Sequence, residues 1–228
     1  MSALLRLLFA VLIAGFFISG IFFFLASLLN NLAFNPESRA WKEMIGKLRA
    51  RLNPKKPARN SKLPEVLTPF DSETLAHLSL KPTILKKAGW RDTTIEGVIS
   101  TIYQEPVLVF AGQKNGKNGA FVAKTSDKEF IFTQKGKETQ VWLDGKPYAV
   151  FVDGTLLSTG KQSKMLAKIE PDPELRQWPV LIGHAEGATL TNAERAVSPI
   201  PRAVTLLRNL NPEEEQALLV LSAIQSLK

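Results

Sequence analysis

Residues Leu7–Leu29 (LLFAVLIAGFFISGIFFFLASLL) form an apolar run without one charged side chain. At about 1.5 Å per residue the run reaches roughly 34 Å, enough to cross a hydrocarbon layer of ~30 Å. The pattern predicts a transmembrane helix. A cleaved signal peptide has a shorter apolar region and small residues at its cleavage site. Here the nearest candidate, Phe24-Leu25-Ala26, sets a large aromatic in that place, so an uncleaved anchor over residues 1–34 is the better reading. Within it, Ala10/Ala14 and Gly15/Ser19 are small residues four apart, the spacing that lets a second helix approach closely. Membrane helices are commonly rich in such residues, which is the plainer explanation of both pairs.

The period then changes. Asn35-Pro36-Glu37 reads as a helix cap, a proline at the first helical position and an acid in the first turn. Trp41, Met44, Ile45, Leu48 and Leu52 follow on one helical face, with Arg39, Lys42, Lys47, Arg49 and Arg51 around much of the rest. A basic amphipathic helix beside a membrane span is expected to lie in the bilayer interface, with Lys55 and Lys56 extending the same basic contact. The competing reading is a solvated helix whose apolar edge packs on the rest of the chain. Pro54 and Pro57 end the helix, and residues 53–62 read as a polar linker.

Residues 63–228 are long enough for one domain with its own core. After a short helix near Asp71–Leu80, β-branched and aromatic runs alternate with turn residues. Strands are predicted near 94–103, 106–111, 119–125, 129–134, 138–143, 147–152, 155–158, 164–169 and 179–183. Asp144-Gly145 and Asp153-Gly154 supply residues that accept the positive φ of tight hairpins, and Lys114–Gly119 reads as a longer hairpin tip. The spacing leaves no room for crossover helices, so the sheet is expected to be antiparallel, as a barrel or a bent sheet. Asn211-Pro212 followed by three glutamates starts a last helix, whose Leu218, Leu221, Ile224 and Leu227 make a stripe fit to cover or plug the sheet. This succession of short hairpins and an apolar terminal helix resembles tubby-like and scramblase-like domains. No motif accompanies the resemblance, so no residue and no activity is taken from it. The fold class expected is a single N-terminal transmembrane helix plus a mainly antiparallel β domain with a C-terminal helix, α+β overall.

Charge changes the picture only after it is located. The chain carries a net charge of +8. Residues 35–62 hold nine basic and two acidic side chains, while 63–228 hold nineteen of each. A neutral body loses the main argument for a nucleic-acid partner. The basic flank follows the apolar run, which predicts the amino terminus outside and the domain in the cytoplasm of a plasma (inner) membrane. The absence of cysteine agrees with a reducing compartment.

Candidate chemistry is sparse. A zinc site needs three or four convergent ligands, and the chain offers His77 and His184 far apart and no cysteine. Both histidines read as polar loop or helix residues. There is no G-x-S-x-G elbow, and the glycines of 112–119 lack the order of a phosphate loop. Asp144 and Asp153 are conceivable as a carboxylate pair, but each precedes a glycine in a turn, which accounts for both. No catalytic, cofactor or metal residue is assigned, and the chain is read as not an enzyme. The expectation is a non-catalytic, membrane-anchored subunit or adaptor that docks its β-rich domain onto other membrane-protein subunits and touches anionic lipid. The alternative is a membrane-tethered lipid-interacting module.

Overall fold

The structure, a computed structural model, describes residues 34–53, 63–89 and 93–227. The chain divides into two compact units, Met1–Met44 and Ile45–Lys228. Three helices are described: α1 (Arg39–Arg51), α2 (Ser72–Ala76) and α3 (Pro212–Leu227). Twelve strands form one sheet. They are β1 (Thr83–Ala88), β2 (Thr93–Ser100), β3 (Pro106–Asn115), β4 (Asn118–Lys124), β5 (Glu129–Lys135), β6 (Glu138–Leu143), β7 (Lys146–Val152), β8 (Thr155–Ser158), β9 (Met165–Ile169), β10 (Gln177–Ile182), β11 (Ala185–Thr191) and β12 (Val204–Leu206).

In the first unit, residues 34–44 hold the start of α1. Ser38 caps it, its Oγ accepting from the Trp41 amide at 3.0 Å, and Phe34 and Trp41 are buried. The helix thus begins three residues after the expected cap at Asn35, whose side chain instead accepts from the Glu37 amide at 3.3 Å.

In the second unit the strands follow one another in strict order, each paired antiparallel with its chain neighbours. Tight turns make this possible. Asp144 and Asp153 have φ of 49° and 44°, and the glycines after them 78° and 83°, the backbone that matches the twist of paired strands. The two ends of the sheet are drawn together by a short segment. The Leu80 amide donates to the Pro201 carbonyl and the Ala203 amide to that of Leu78, while the Ser79 amide reaches Ser100 on the other side. Residues 78–80 therefore bridge the start of β12 to the end of β2.

The sheet curls around α3. Every residue from Ala217 to Ile224 is buried, Ser222 included, its hydroxyl turned back onto the Leu218 carbonyl at 2.8 Å. A helix buried on all sides needs apolar neighbours all round. The inward positions supply them: Phe110, Phe121, Phe132, Phe151, Ile169 and Leu190 join the α3 side chains in one continuous core. Asn211 caps the helix, accepting from the Glu213 and Glu214 amides at 3.0 Å, and Glu214 returns a carboxylate to the Asn211 amide at 2.9 Å. Arg208 holds that same carboxylate with both of its terminal nitrogens.

The outer face is covered on one side. Glu96, Ala111, Val122 and Ile131 form one cross-strand row, and Val98, Val109, Lys124 and Glu129 the next. Arg51 pairs with Glu96 at 2.9 Å and Arg49 with Glu129 at 2.6 Å, so the second half of α1 lies diagonally across these rows. Ile45, Leu48 and Leu52 are buried, as are Val98, Val109, Val122 and Ile131 beneath.

The expected fold class needs correction. Among the described residues no helix is long and apolar enough to cross a membrane. The architecture is mostly antiparallel sheet with three helices. The run Leu7–Leu29, with Ala10, Ala14, Gly15 and Ser19, lies outside the described residues.

Candidate functional site

The most chemically distinctive place in the second unit is the rim of the sheet where α3 ends. It is built by two glycines. Gly97 pairs directly with Phe110, and Gly112 with Phe121. A Cβ on Gly112 would stand 2.0 Å from the Phe121 ring, and one on Gly97 would stand 2.6 Å from that of Phe110. Each missing side chain lets the facing ring lie flat over its neighbour's backbone. Phe121 thereby becomes a shelf, and the Lys114 ammonium sits over it, 5.3 Å from the ring centre.

Register decides which way the polar groups point. Ile95 packs against the core and pairs with both Lys87 and Gly112, so Lys87 shares the inner face. Thr93 pairs with Lys114 in the row beyond. The two lysines thus converge on the open end of the sheet, facing the last turn of α3. Lys114 donates to the Leu227 carbonyl, the placement a cation takes at a helix C-terminus. Nearby, Ser226 donates its hydroxyl to the Leu80 carbonyl at 3.3 Å.

These groups surround a cleft of about 530 Å³, lined by Ile84, Lys87, Thr93, Ile95, Phe110, Lys114, Gly116, Phe121, Ser226 and Leu227. No carboxylate is among these lining residues. Burial, and then the Lys87 charge beside it, hold the Lys114 amine below the usual lysine range. A shelf of aromatic carbon, two cations and two hydroxyls can hold a small, partly flat, partly anionic molecule.

Two other clefts lie on the same unit. One of about 500 Å³ at the closing segment includes Ser79, Ser100 and Thr101. The hydroxyls of Ser79 and Thr101 serve the chain itself: Thr101 Oγ1 donates to Glu105 and accepts from the Tyr103 and Glu105 amides, and Ser79 donates to the Lys81 carbonyl. Another, of about 460 Å³, runs between Leu52, Leu63–Leu67, Val109 and Lys124.

The residues singled out from sequence fall elsewhere. Arg49 and Arg51 are tied to the sheet by their ion pairs, and Arg39 pairs with Glu43 along its own helix. Trp41 is buried, Lys42 and Lys47 are exposed, and Lys55 and Lys56 lie outside the described residues. The apolar stripe of α1 is thus buried at Trp41, Ile45, Leu48 and Leu52 and presents no apolar surface outward at these positions. His77 ends α2, its Nδ1 2.9 Å from the Glu73 carbonyl and its ring beside Tyr103; His184 is exposed in the β10–β11 turn. Asp144 and Asp153 occupy opposite ends of β7, roughly 20 Å apart at strand rise, so they form no pair. Asp144 accepts instead from the Glu129 amide at 2.9 Å. Among the described residues no group of three or more His, Asp or Glu side chains converges as metal ligands do. Lys87 and Lys114 were missed because neither carries a motif; only pairing register brings them together.

Comparison with known proteins adds one signal. The chain is 30% identical over 112 residues to hydroxyethylthiazole kinases of Leptospira borgpetersenii serovar Hardjo-bovis, strains JB197 and L550. The match takes in 46% of this chain and 42% of each relative, so the chain spans less than half the length of these curated relatives. No family model matches, and no solved structure matches. The kinase likeness points toward an enzyme and corrects the expectation of a non-catalytic chain. With no membrane-crossing helix among the described residues, it also overturns both the anchored adaptor and the membrane-tethered lipid module.

Proposed function

We propose that this chain is an enzyme acting on a small organic molecule by phosphoryl transfer, and that it does so in the cleft at the end of α3. The observation that carries the reading is Lys114, an amine perturbed by burial that stands in an open cleft over an aromatic shelf. Strongly perturbed groups in clefts gather at sites of chemistry. The limited likeness to hydroxyethylthiazole kinases supports the choice of reaction.

In such a reaction the hydroxyl oxygen of the acceptor forms a new bond to the terminal phosphorus of a nucleoside triphosphate. The bond from that phosphorus to its bridging oxygen breaks, the electron pair leaves with the diphosphate, and the hydroxyl proton passes to solvent. Lys114 stabilises the negative charge spread over the transferred group, and the Phe121 shelf orients the acceptor's flat portion. The test is release of ADP by the full chain from ATP with hydroxyethylthiazole as acceptor. Turnover that falls about 100-fold or more in Lys114→Met, at unchanged melting temperature, is the expected result for loss of one charge-stabilising donor. No ADP release above the acceptor-free blank overturns the reading.

A further inference from the structure

We infer that Lys87 and Lys114 together form a phosphate subsite, and that the cleft takes a phosphate monoester whose organic part lies on Phe121. The inference rests on the proposed site's location and not on its reaction.

A simple structural role accounts for one lysine only. Lys114 on the Leu227 carbonyl is a sufficient cation for the last turn of α3. Lys87 adds nothing to that cap. Among the described residues no hydrogen bond or ion pair ties it, yet register turns it inward beside Lys114. Two like charges placed together cost free energy in the empty site, and the lining described offers no acid to offset it. A dianionic group between them reverses the sign of that cost. The polar groups facing this space are the two ammoniums, the Thr93 and Ser226 hydroxyls, and the Leu227 carbonyl. The carbonyl alone opposes an anion, and Lys114 already engages it.

The rest of the lining argues for the organic part. Ile84, Ile95, Phe110 and Phe121 supply apolar carbon beside the cations. A free phosphate ion leaves that surface wet, whereas an aryl or heterocyclic phosphate ester covers it. The volume of about 530 Å³ is that of a small-molecule site.

Isothermal titration of the full chain with inorganic phosphate, phenyl phosphate and benzyl alcohol tests this. Phenyl phosphate should bind at least 10-fold more tightly than phosphate, and benzyl alcohol should not bind measurably. Lys87→Met should weaken phenyl phosphate at least 10-fold without shifting the melting temperature, since Lys87 is exposed. Lys86→Met is the control, because Lys86 pairs with outward-facing Glu96; it should change nothing. Failure of phenyl phosphate to bind, or equal loss in Lys86→Met and Lys87→Met, overturns the subsite. Binding without ADP release leaves the subsite standing and removes the kinase reading. ADP release whose KM is unchanged in Lys87→Met removes the subsite and keeps the kinase reading.

Discussion

Glycine 112 shows how much one absent side chain controls. Its empty face lets the Phe121 ring lie down, and the ring in turn carries Lys114. Gly112→Ala should therefore do two things. The new methyl meets the ring at an impossible distance, so the rim must shift, at a cost of about 1–3 kcal/mol typical of over-packed cores. Urea unfolding would measure it, and a variant as stable as the parent would mean that the ring has another place to go. Lys114 lies two residues along the same strand, so the same variant should also lose phenyl phosphate affinity. Little of this was legible in the sequence. Lys114 sits in a string of polar and glycine residues that reads as a hairpin tip, and it is one. That β3 continues through Asn115 and turns Lys114 inward is a matter of register, which composition does not reveal.

Among the elements, the last helix was the most legible. Asn211-Pro212 and three acids mark its start, and the helix observed runs Pro212–Leu227. Its apolar character also told that it is buried, though not that every side is. Leu221→Ala should cost about 2–5 kcal/mol, because surrounding strands cannot collapse onto the space left. A loss under 1 kcal/mol by thermal or urea unfolding would argue that α3 is not enclosed. Strands with strong β-branched or aromatic runs were found close to where they lie. Three were not. β1 (TILKKA) is half lysine and glycine-flanked, and its inward face meets the cleft instead of the core. β11 (AEGATLT) uses Gly187 and Ala188 where bulk is excluded: a Cβ on Gly187 would stand 2.9 Å from Ile182. Positions chosen for smallness carry no hydrophobic signal. β12 has only three residues. The start of α1 was misjudged by three residues because Asn35 and Ser38 both offer capping oxygens, and Ser38 wins.

Taken as a whole, the second unit depends on a weak closing seam. Each strand pairs with its chain neighbours, but the ends of the sheet meet only through residues 78–80 and the isolated bridges Leu78–Thr101 and Ser79–Arg202. Regions held by few bonds open before the rest. Hydrogen exchange should therefore find the Leu80 and Ala203 amides released well before those of Phe121–Ala123 in the middle of the sheet. Equal protection across these sites would mean that the seam opens only with global unfolding. The seam also explains why closure was not legible: it is made of a few backbone bonds from a segment between a short helix and a strand, with no sequence pattern of its own.

Chain order gives the buried helix a consequence in time. Every strand of the sheet leaves the ribosome before α3 does. Pairing between sequence neighbours lets the hairpins form early and cheaply, since little loop entropy is spent on each. Yet the apolar face they create has nothing to enclose until the final helix has been made. For that interval the nascent sheet exposes its phenylalanine-rich interior to whatever else is being synthesised, so yield in the cell is set less by the stability of the finished protein than by how quickly the last helix arrives.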